Sequence, residues 1–301
     1  MNDLRRMAIF AAVVEQRSMS AAARMLGTST SAISQQVRQL ERDGGVTLLH
    51  RTTRKLTLTD AGERFYAECA TMVAAGQRAQ AQLARSRDEP EGELRLSATV
   101  GFARHIAPAL GALLAAHPSL TLKLLVDDAR IDLVRSRVDL AIRFGALQDS
   151  SWVARRLCAF ELMLCASPAY LRRRGTPQRP DELPAHQWLA FARDGNAVNL
   201  ALTGPQGEVC ALHVQARISS NNQLSLQQMC ATGLGLAWLA RVDADDDLRA
   251  GRLVPVLPQW TQAPLPVWAV TPQRDAQPAK VRHAVDALHD YLQTLPGALR
   301  A

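Results

Sequence analysis

Ser31, Ser34, Gln35, Arg38 and Arg42 share one side of a stretch whose other side carries Ile33, Val37 and Leu40. At 100° per residue this spacing predicts an amphipathic helix, with Ser29 as its cap and Thr30 in its first turn. Glutamine bonds adenine edges, serine bonds bases or phosphates, and arginine bonds guanine or phosphate. Downstream, the basic turn Arg51-Thr52-Thr53-Arg54-Lys55 lies between two β-like stretches, Leu48–Arg51 and Leu56–Leu58. A turn of that kind suits backbone phosphates. The chemistry on offer is polyanion recognition rather than bond making. No Walker motif, GxSxG, HExxH or EF-hand loop occurs. The seven histidines and five cysteines show no zinc-like spacing, and neither a metal nor a cofactor is expected.

These side chains need a scaffold. Leu4, Met7, Phe10, Val13 and Val14 recur at helical spacing, and an alanine-rich stretch, Ser20–Leu26, reads as a short second helix. Gly27 supplies a turn before the polar helix. Helix, turn, helix and basic wing form the layout of a winged helix-turn-helix. The bland alternative is an ordinary helical domain with solvated arginines. Charge distribution favours DNA: Met1–Leu58 holds nine cations against four anions, so five of the net seven positive charges lie in the first fifth of the chain.

The 301 residues suit about two domains, and 48% apolar with 21% charged residues is ordinary globular composition. The longest apolar run, Ile106–Ala116, contains Pro108 and is too short to span a membrane, so no membrane partner is expected. Arg5 and Arg6 before Ala8–Val14 imitate a secretory leader, but Glu15 and Arg17 interrupt it, and the segment reads as a cytoplasmic helix. An odd number of cysteines without CxxC suits reduced thiols. Cys158 and Cys165 read as buried apolar side chains, with a redox pair as the alternative.

After the polar stretch Ser86–Gly92 the pattern changes to short strands alternating with helices, which predicts an α/β body with a largely parallel sheet. Ligands in such sheets sit beyond the carboxyl ends of strands. Leu94–Ala98 runs into Thr99, Val100 and Gly101; Leu140–Arg143 into Phe144 and Gly145; Val214–Ile218 into Ser220 and Asn221. Ser167-Pro168 opens a further helix. Taken singly, Thr99, Ser220 and Asn221 read equally well as helix caps.

Phe10–Leu26, Ser29–Glu41, Gly45-Val46, Leu48–Arg54 and Leu58–Gly62 together resemble the opening of a LysR-type transcriptional regulator. Val138–Gly145, Leu164–Leu171, Gly251–Leu257 and Lys280–Leu292 resemble its regulatory domain. Two positions depart from the family pattern. Gly44 stands where leucine is usual, and is expected to loosen the end of the polar helix. Leu49 stands where phenylalanine is commoner.

The resemblance implies residues 1–58 as the DNA-binding domain and 59–88 as a linker and dimerisation helix. Residues 89–301 then form a two-lobed, periplasmic-binding-protein-like effector domain. Lobe I would hold 93–164 and 268–301, and lobe II 165–267. Thr59 can cap the linker helix, on which Phe65, Cys69, Met72, Gly76, Ala79 and Leu83 form a heptad-like seam. The expected partners are double-stranded promoter DNA, a small organic effector, further copies of the chain as homodimer or homotetramer, and RNA polymerase. With a two-lobed body implied, Thr99, Val100, Gly101, Phe144, Gly145, Ser167, Ser220 and Asn221 become the candidate effector contacts. Helix N-termini beside them favour an organic anion. The rival class is a small-molecule-binding protein or enzyme with an incidental basic N-terminus.

Overall fold

The computed structural model describes residues 2–51, 56–129, 132–147, 152–191, 196–272 and 277–300. The chain forms two compact units, Met1–Arg85 and Ser86–Ala301.

The first unit comprises α1 (Asn2–Glu15), α2 (Met19–Met25), α3 (Thr30–Gly44), the antiparallel pair β1 (Leu49–Arg51) and β2 (Leu56–Leu58), and most of α4 (Asp60–Asp88). Ser18 caps α2, accepting the Ala21 N–H at 3.3 Å. Ser29 caps α3, accepting the Ala32 N–H at 3.2 Å. Ala22 and Ala23 are buried, and their small side chains let α2 pack closely. Phe10, Val13, Ile33 and Val37 are fully enclosed with Leu49 in one core. Each large apolar side chain so buried stabilises the unit by about 1.5–3 kcal/mol. Leu49 is thus a core residue in its own right. Gly44 does not fray α3: the helix includes it, and Gly45, at φ 65°, ends the helix in a left-handed cap.

The second unit follows with β3 (Gly92–Ala98), α5 (Ile106–Ala116), β4 (Leu120–Val126), β5 (Leu140–Phe144), β6 (Val153–Phe160), β7 (Leu162–Ala166) and α6 (Pro168–Arg174). Then come β8 (Trp188–Phe191), β9 (Ala197–Thr203), β10 (Val209–Ser220), α7 (Gln223–Ala231), β11 (Leu236–Ala240) and α8 (Arg241–Arg249). The chain ends with β12 (Val254–Pro255), β13 (Leu265–Thr271), α9 (Ala279–Leu292) and β14 (Ala298–Leu299). Two six-stranded sheets result, ordered β14-β6-β13-β5-β3-β4 and β12-β7-β11-β8-β10-β9.

Both sheets are mixed, which corrects the expectation of a largely parallel one. Among the described residues parallel pairing is confined to β3 with β4 and β5, and to β8 with β10 and β11. The cause is the double crossing of the chain. Strands β7 and β13, the first to enter each sheet after a crossing, run antiparallel to their partners β11 and β5. The first crossing falls at Glu161, between β6 and β7, three residues before Leu164. The return falls between Thr261 and Leu265, ahead of Trp268, because β13 already pairs with β6 from Leu265. In the first lobe Leu94, Leu96, Leu140 and Ile142 pack beneath α5 and α9, whose Leu110, Val285, Leu288 and Leu292 close the core. In the second, Tyr170, Trp188 and Leu236 fill one face of the sheet, and Leu226, Cys230 and Leu239 the other.

Candidate nucleic-acid interface and effector cleft

Helix α3 turns Ile33, Val37 and Leu40 into the first core. Thr30, Ser31, Gln35, Arg38 and Arg42 are exposed and Ser34 is half-buried. A surface concavity of about 760 Å3 runs between this face and residues 45–47, with Ser31, Ser34, Gln35 and Arg38 on its wall. Ser29 is committed to capping, and its Oγ also lies 3.0 Å from that of Ser31. The Arg51 backbone ends β1. Its side chain, with Thr52, Thr53 and Arg54, lies outside the described residues.

Two groups missed in the sequence hold this face in place. One Glu41 oxygen accepts the Leu48 and Leu49 N–H groups at 2.9 and 3.1 Å, tying the end of α3 to the start of the wing. Arg6 on α1 pairs with Asp43 at 2.6 Å and donates to Gln36 at 3.3 Å, so this cation serves the fold. Both links join residues six or more positions apart, beyond the reach of helical periodicity.

The seam on α4 divides. Phe65 and Cys69 join the core of the first unit, with Tyr66 and Val73 beside them, and the Phe65 ring lies 5.6 Å from that of Phe10. Gly76, Ala79 and Leu83 are exposed, Leu83 at 75%. One apolar stripe therefore serves its own unit first, and its second half carries no such packing.

In the second unit, strand direction decides which predicted residues meet. The carboxyl ends of β3, β4 and β5 share one edge of the first sheet, where β13 begins. The carboxyl ends of β8, β10 and β11 share one edge of the second. These edges face each other: the Asn222 amide donates to Asp128, just past β4, at 2.5 Å. Thr99, Val100, Gly101, Phe144 and Gly145 lie on the first edge, and Ser220 and Asn221 on the second. Ser167 does not join them. Strand β7 runs antiparallel to β11, pairing Cys165 with Ala237 and Leu162 with Ala240, which puts Ser167 at the far end of the second sheet. There it is buried and caps α6 through the Tyr170 N–H at 3.1 Å. The motif starts a helix as expected, but on the wrong side for the cleft.

The helix starts also differ. Thr99 does not cap α5: its carbonyl accepts the Phe102 and Ala103 N–H groups in a tight turn, and a short 3-10 segment, Ala103–His105, precedes the helix. The cap of α7 is Asn222, whose oxygen accepts the Ser225 N–H at 2.8 Å. Ser220 supports that cap by accepting the Asn222 N–H at 3.1 Å. Phe144 is half-buried, edge-on to Phe102 at 5.4 Å. Gly145 has φ 77°, a conformation that favours glycine; its N–H donates to Pro266 and its carbonyl accepts the Trp268 indole N–H, both at 2.9 Å.

Beyond Gly101 the same connection bridges to α8. Arg104 pairs with Asp243 at 2.6 Å and donates to the Val242 carbonyl at 3.1 Å. Its Nε donates to His105 Nε2 at 3.2 Å, which leaves His105 Nδ1 to face the Tyr291 hydroxyl, also at 3.2 Å. Burial, reinforced by the Arg104 charge, pulls the imidazole down to about 4. Burial raises the Asp243 carboxyl above its ordinary range, against the pull of Arg104. Among the described residues no three His, Cys, Asp or Glu side chains gather as a metal site, and no helix is long and apolar enough to cross a membrane.

Comparison with known proteins agrees with this architecture. Residues 4–63 match the family described as bacterial regulatory helix-turn-helix protein, lysR family, and residues 87–293 match the LysR substrate binding domain. The chain is 36% identical to the HTH-type transcriptional activator AaeR of Escherichia coli K12 over 97% of its length and 94% of the relative. It is 32% identical to the regulator PtxR of Pseudomonas aeruginosa, over 98% of the chain and 94% of the relative. The full-length Vibrio cholerae virulence activator AphB superposes with a TM-score of 0.73 at 28% identity, covering 96% of this chain and 99% of that one. CrgA of Neisseria meningitidis superposes at 0.59 and 30% identity, covering 95% and 97%. With an N-terminal helix-turn-helix and a two-lobed effector-binding domain, the chain belongs to the LysR family of transcriptional regulators and is not an enzyme.

Proposed function

We propose that the protein acts in the cytoplasm as an oligomer that reads promoter DNA and responds to a small organic anion. Residues 1–58 would form its DNA-binding domain, 59–88 its linker and 89–301 its effector domain. Ser31, Ser34, Gln35 and Arg38 meet base edges, while Ser29 and Thr30 at the start of α3 and Arg51, Thr52, Thr53 and Arg54 of the wing meet phosphates. The observation that carries this reading is the division of α3: one face is sealed by Ile33, Val37 and Leu40, and the other is polar and lines an open concavity. The exposed second half of the α4 seam supports pairing of two chains. The activator AaeR among the relatives supports RNA polymerase as a further partner.

The effector contacts are Thr99, Val100, Gly101, Phe144, Gly145, Ser220 and Asn221. Their support is the facing of the two sheet edges and the hydrogen bond that joins the edges. Mapping genomic DNA bound by the protein in cells should return a small set of promoter fragments. Recovery of fragments only in proportion to the genome would defeat the reading. Calorimetry of the full-length protein should find binding among carboxylates and none among their amides. The reverse preference would defeat the anion assignment alone.

A further inference from the structure

We infer that Asp128 is the protein's own occupant of a carboxylate seat spanning the two lobes, so that a small acid binds by taking its place. The inference rests on the cleft reading above and names the group that an effector must replace.

Two donors converge on this side chain from opposite lobes. Asp128 Oδ1 accepts the Val100 N–H at 3.0 Å, from the turn after β3 in the first lobe. Oδ2 accepts the Asn222 amide at 2.5 Å, from the start of α7 in the second. Neither donor is free to turn away. Val100 N–H belongs to a turn closed by the Phe102 and Ala103 N–H groups, both bonded to Thr99 O. Asn222 is oriented by its own capping: its Oδ1 accepts both the Ser225 N–H at 2.8 Å and the Ser225 hydroxyl at 2.9 Å. With the oxygen engaged on α7, the NH2 group must face the cleft.

The seat therefore presents two fixed N–H donors to the two oxygens of one planar acceptor. A carboxylate satisfies both, whereas a primary amide offers a single acceptor oxygen and leaves one donor facing its own NH2. This selects acids over amides by geometry. The neighbouring Asp127 does not compete for the position, because its Oδ1 accepts the Ala129 N–H at 2.8 Å.

Occupancy of the seat is linked to the rest of the lobe contact. Val100 lies four residues before Arg104, which pairs with Asp243 on α8. Gln227 on α7 donates to the Asp243 carbonyl at 2.9 Å and to the Asp247 carboxylate at 2.8 Å. The connection after β3, α7 and α8 thus form a closed circuit across the cleft. An acid that displaces Asp128 acts on that circuit at the same point as the side chain it replaces.

The test is chemical rescue in the full-length protein. Asp128→Ala keeps Cβ and removes a group the size of formate. Hydrogen exchange at Val100, read by mass spectrometry of the segment around it, should accelerate at least tenfold in the variant. Formate should restore the protection, and formamide should not. Asp128→Asn, which keeps the volume, should exchange at the same rate with or without formate. Benzoate should bind Asp128→Ala at least tenfold more tightly than the parent, because nothing has to leave first. Exchange at Val100 that ignores formate in Asp128→Ala, or equal rescue by formamide, overturns the seat. Formate rescue without benzoate binding to any form supports the seat and removes the organic-acid effector reading instead.

Discussion

Gly62→Ala in α4 should destabilise the first unit although it replaces glycine by the best helix former. A Cβ at this buried position would overlap the Leu48 carbonyl oxygen and press on a Leu58 methyl at 3.2 Å. The Leu48 carbonyl cannot give way cheaply, because it accepts the Thr59 N–H at 3.0 Å. Thr59 is itself held: its Oγ accepts the Gly62 N–H at 2.9 Å and donates to the Thr47 carbonyl at 2.8 Å. Overpacking of this kind costs about 1–3 kcal/mol. Loss of the Leu48–Thr59 bond adds about 1 kcal/mol. Helix propensity returns at most about 1 kcal/mol, leaving a net loss of about 1–3 kcal/mol. Gly111→Ala is the matched control. Gly111 is exposed within α5 with nothing inside 4 Å, so the same chemical change should stabilise by up to about 1 kcal/mol. Urea denaturation of the full-length protein, with hydrogen exchange to assign the change to residues 45–62, measures both. Equal stability of parent and Gly62→Ala, with unchanged exchange around Leu48, would refute the close-approach argument.

Three further outcomes follow from single side chains. Because His105 is held near 4 when folded against an ordinary 6.5, the unfolded chain binds the extra proton first. Its contribution, up to about 3 kcal/mol, is complete above pH 6.5 and is lost as pH falls towards 4; urea midpoints across that range should decline in the parent and less in His105→Phe. Burial pushes Cys158, Cys165 and Cys230 up to about 12 and Cys69 up to about 11, so a thiol reagent at pH 8 should label half-buried Cys210 first and the others only on unfolding. Fast labelling of Cys158 or Cys165 in the native protein would revive a redox role for that pair. Glu41→Gln should cost about 1–2 kcal/mol in the first unit, since the two N–H groups it accepts lose a charged partner; an unchanged midpoint would show that they do not depend on it.

What was legible in the sequence was local. Ile33, Val37 and Leu40 mark the inner face of α3 by spacing alone, and Ser29 and Thr59 mark helix starts by type. What was hidden is non-local. Glu41 reaches the wing, Asp128 meets Asn222, and Gly62 approaches Leu48, all through chain paths that no periodicity encodes. The heptad spacing on α4 gives a stripe but not what covers it, and half of that stripe packs on its own unit. Ser167 was misplaced because a helix-start motif carries no strand direction, and β7 runs against its neighbours. The β9–β10 hairpin had a readable signal: Leu200 and Leu202, then Val214 and Ala216, are buried at period two, around a turn containing Gly204 and Gly207.

The central claim is that the outer face of α3 reads DNA sequence. Fluorescence anisotropy with a promoter fragment recovered from cells, against a scrambled fragment and across salt, tests it in the parent, Gln35→Ala and Arg38→Ala. The parent should prefer the recovered fragment, and a lost base contact at either position should reduce that preference by about 1–3 kcal/mol. Equal binding of both fragments by the parent, or an undiminished preference in both variants, would contradict the account.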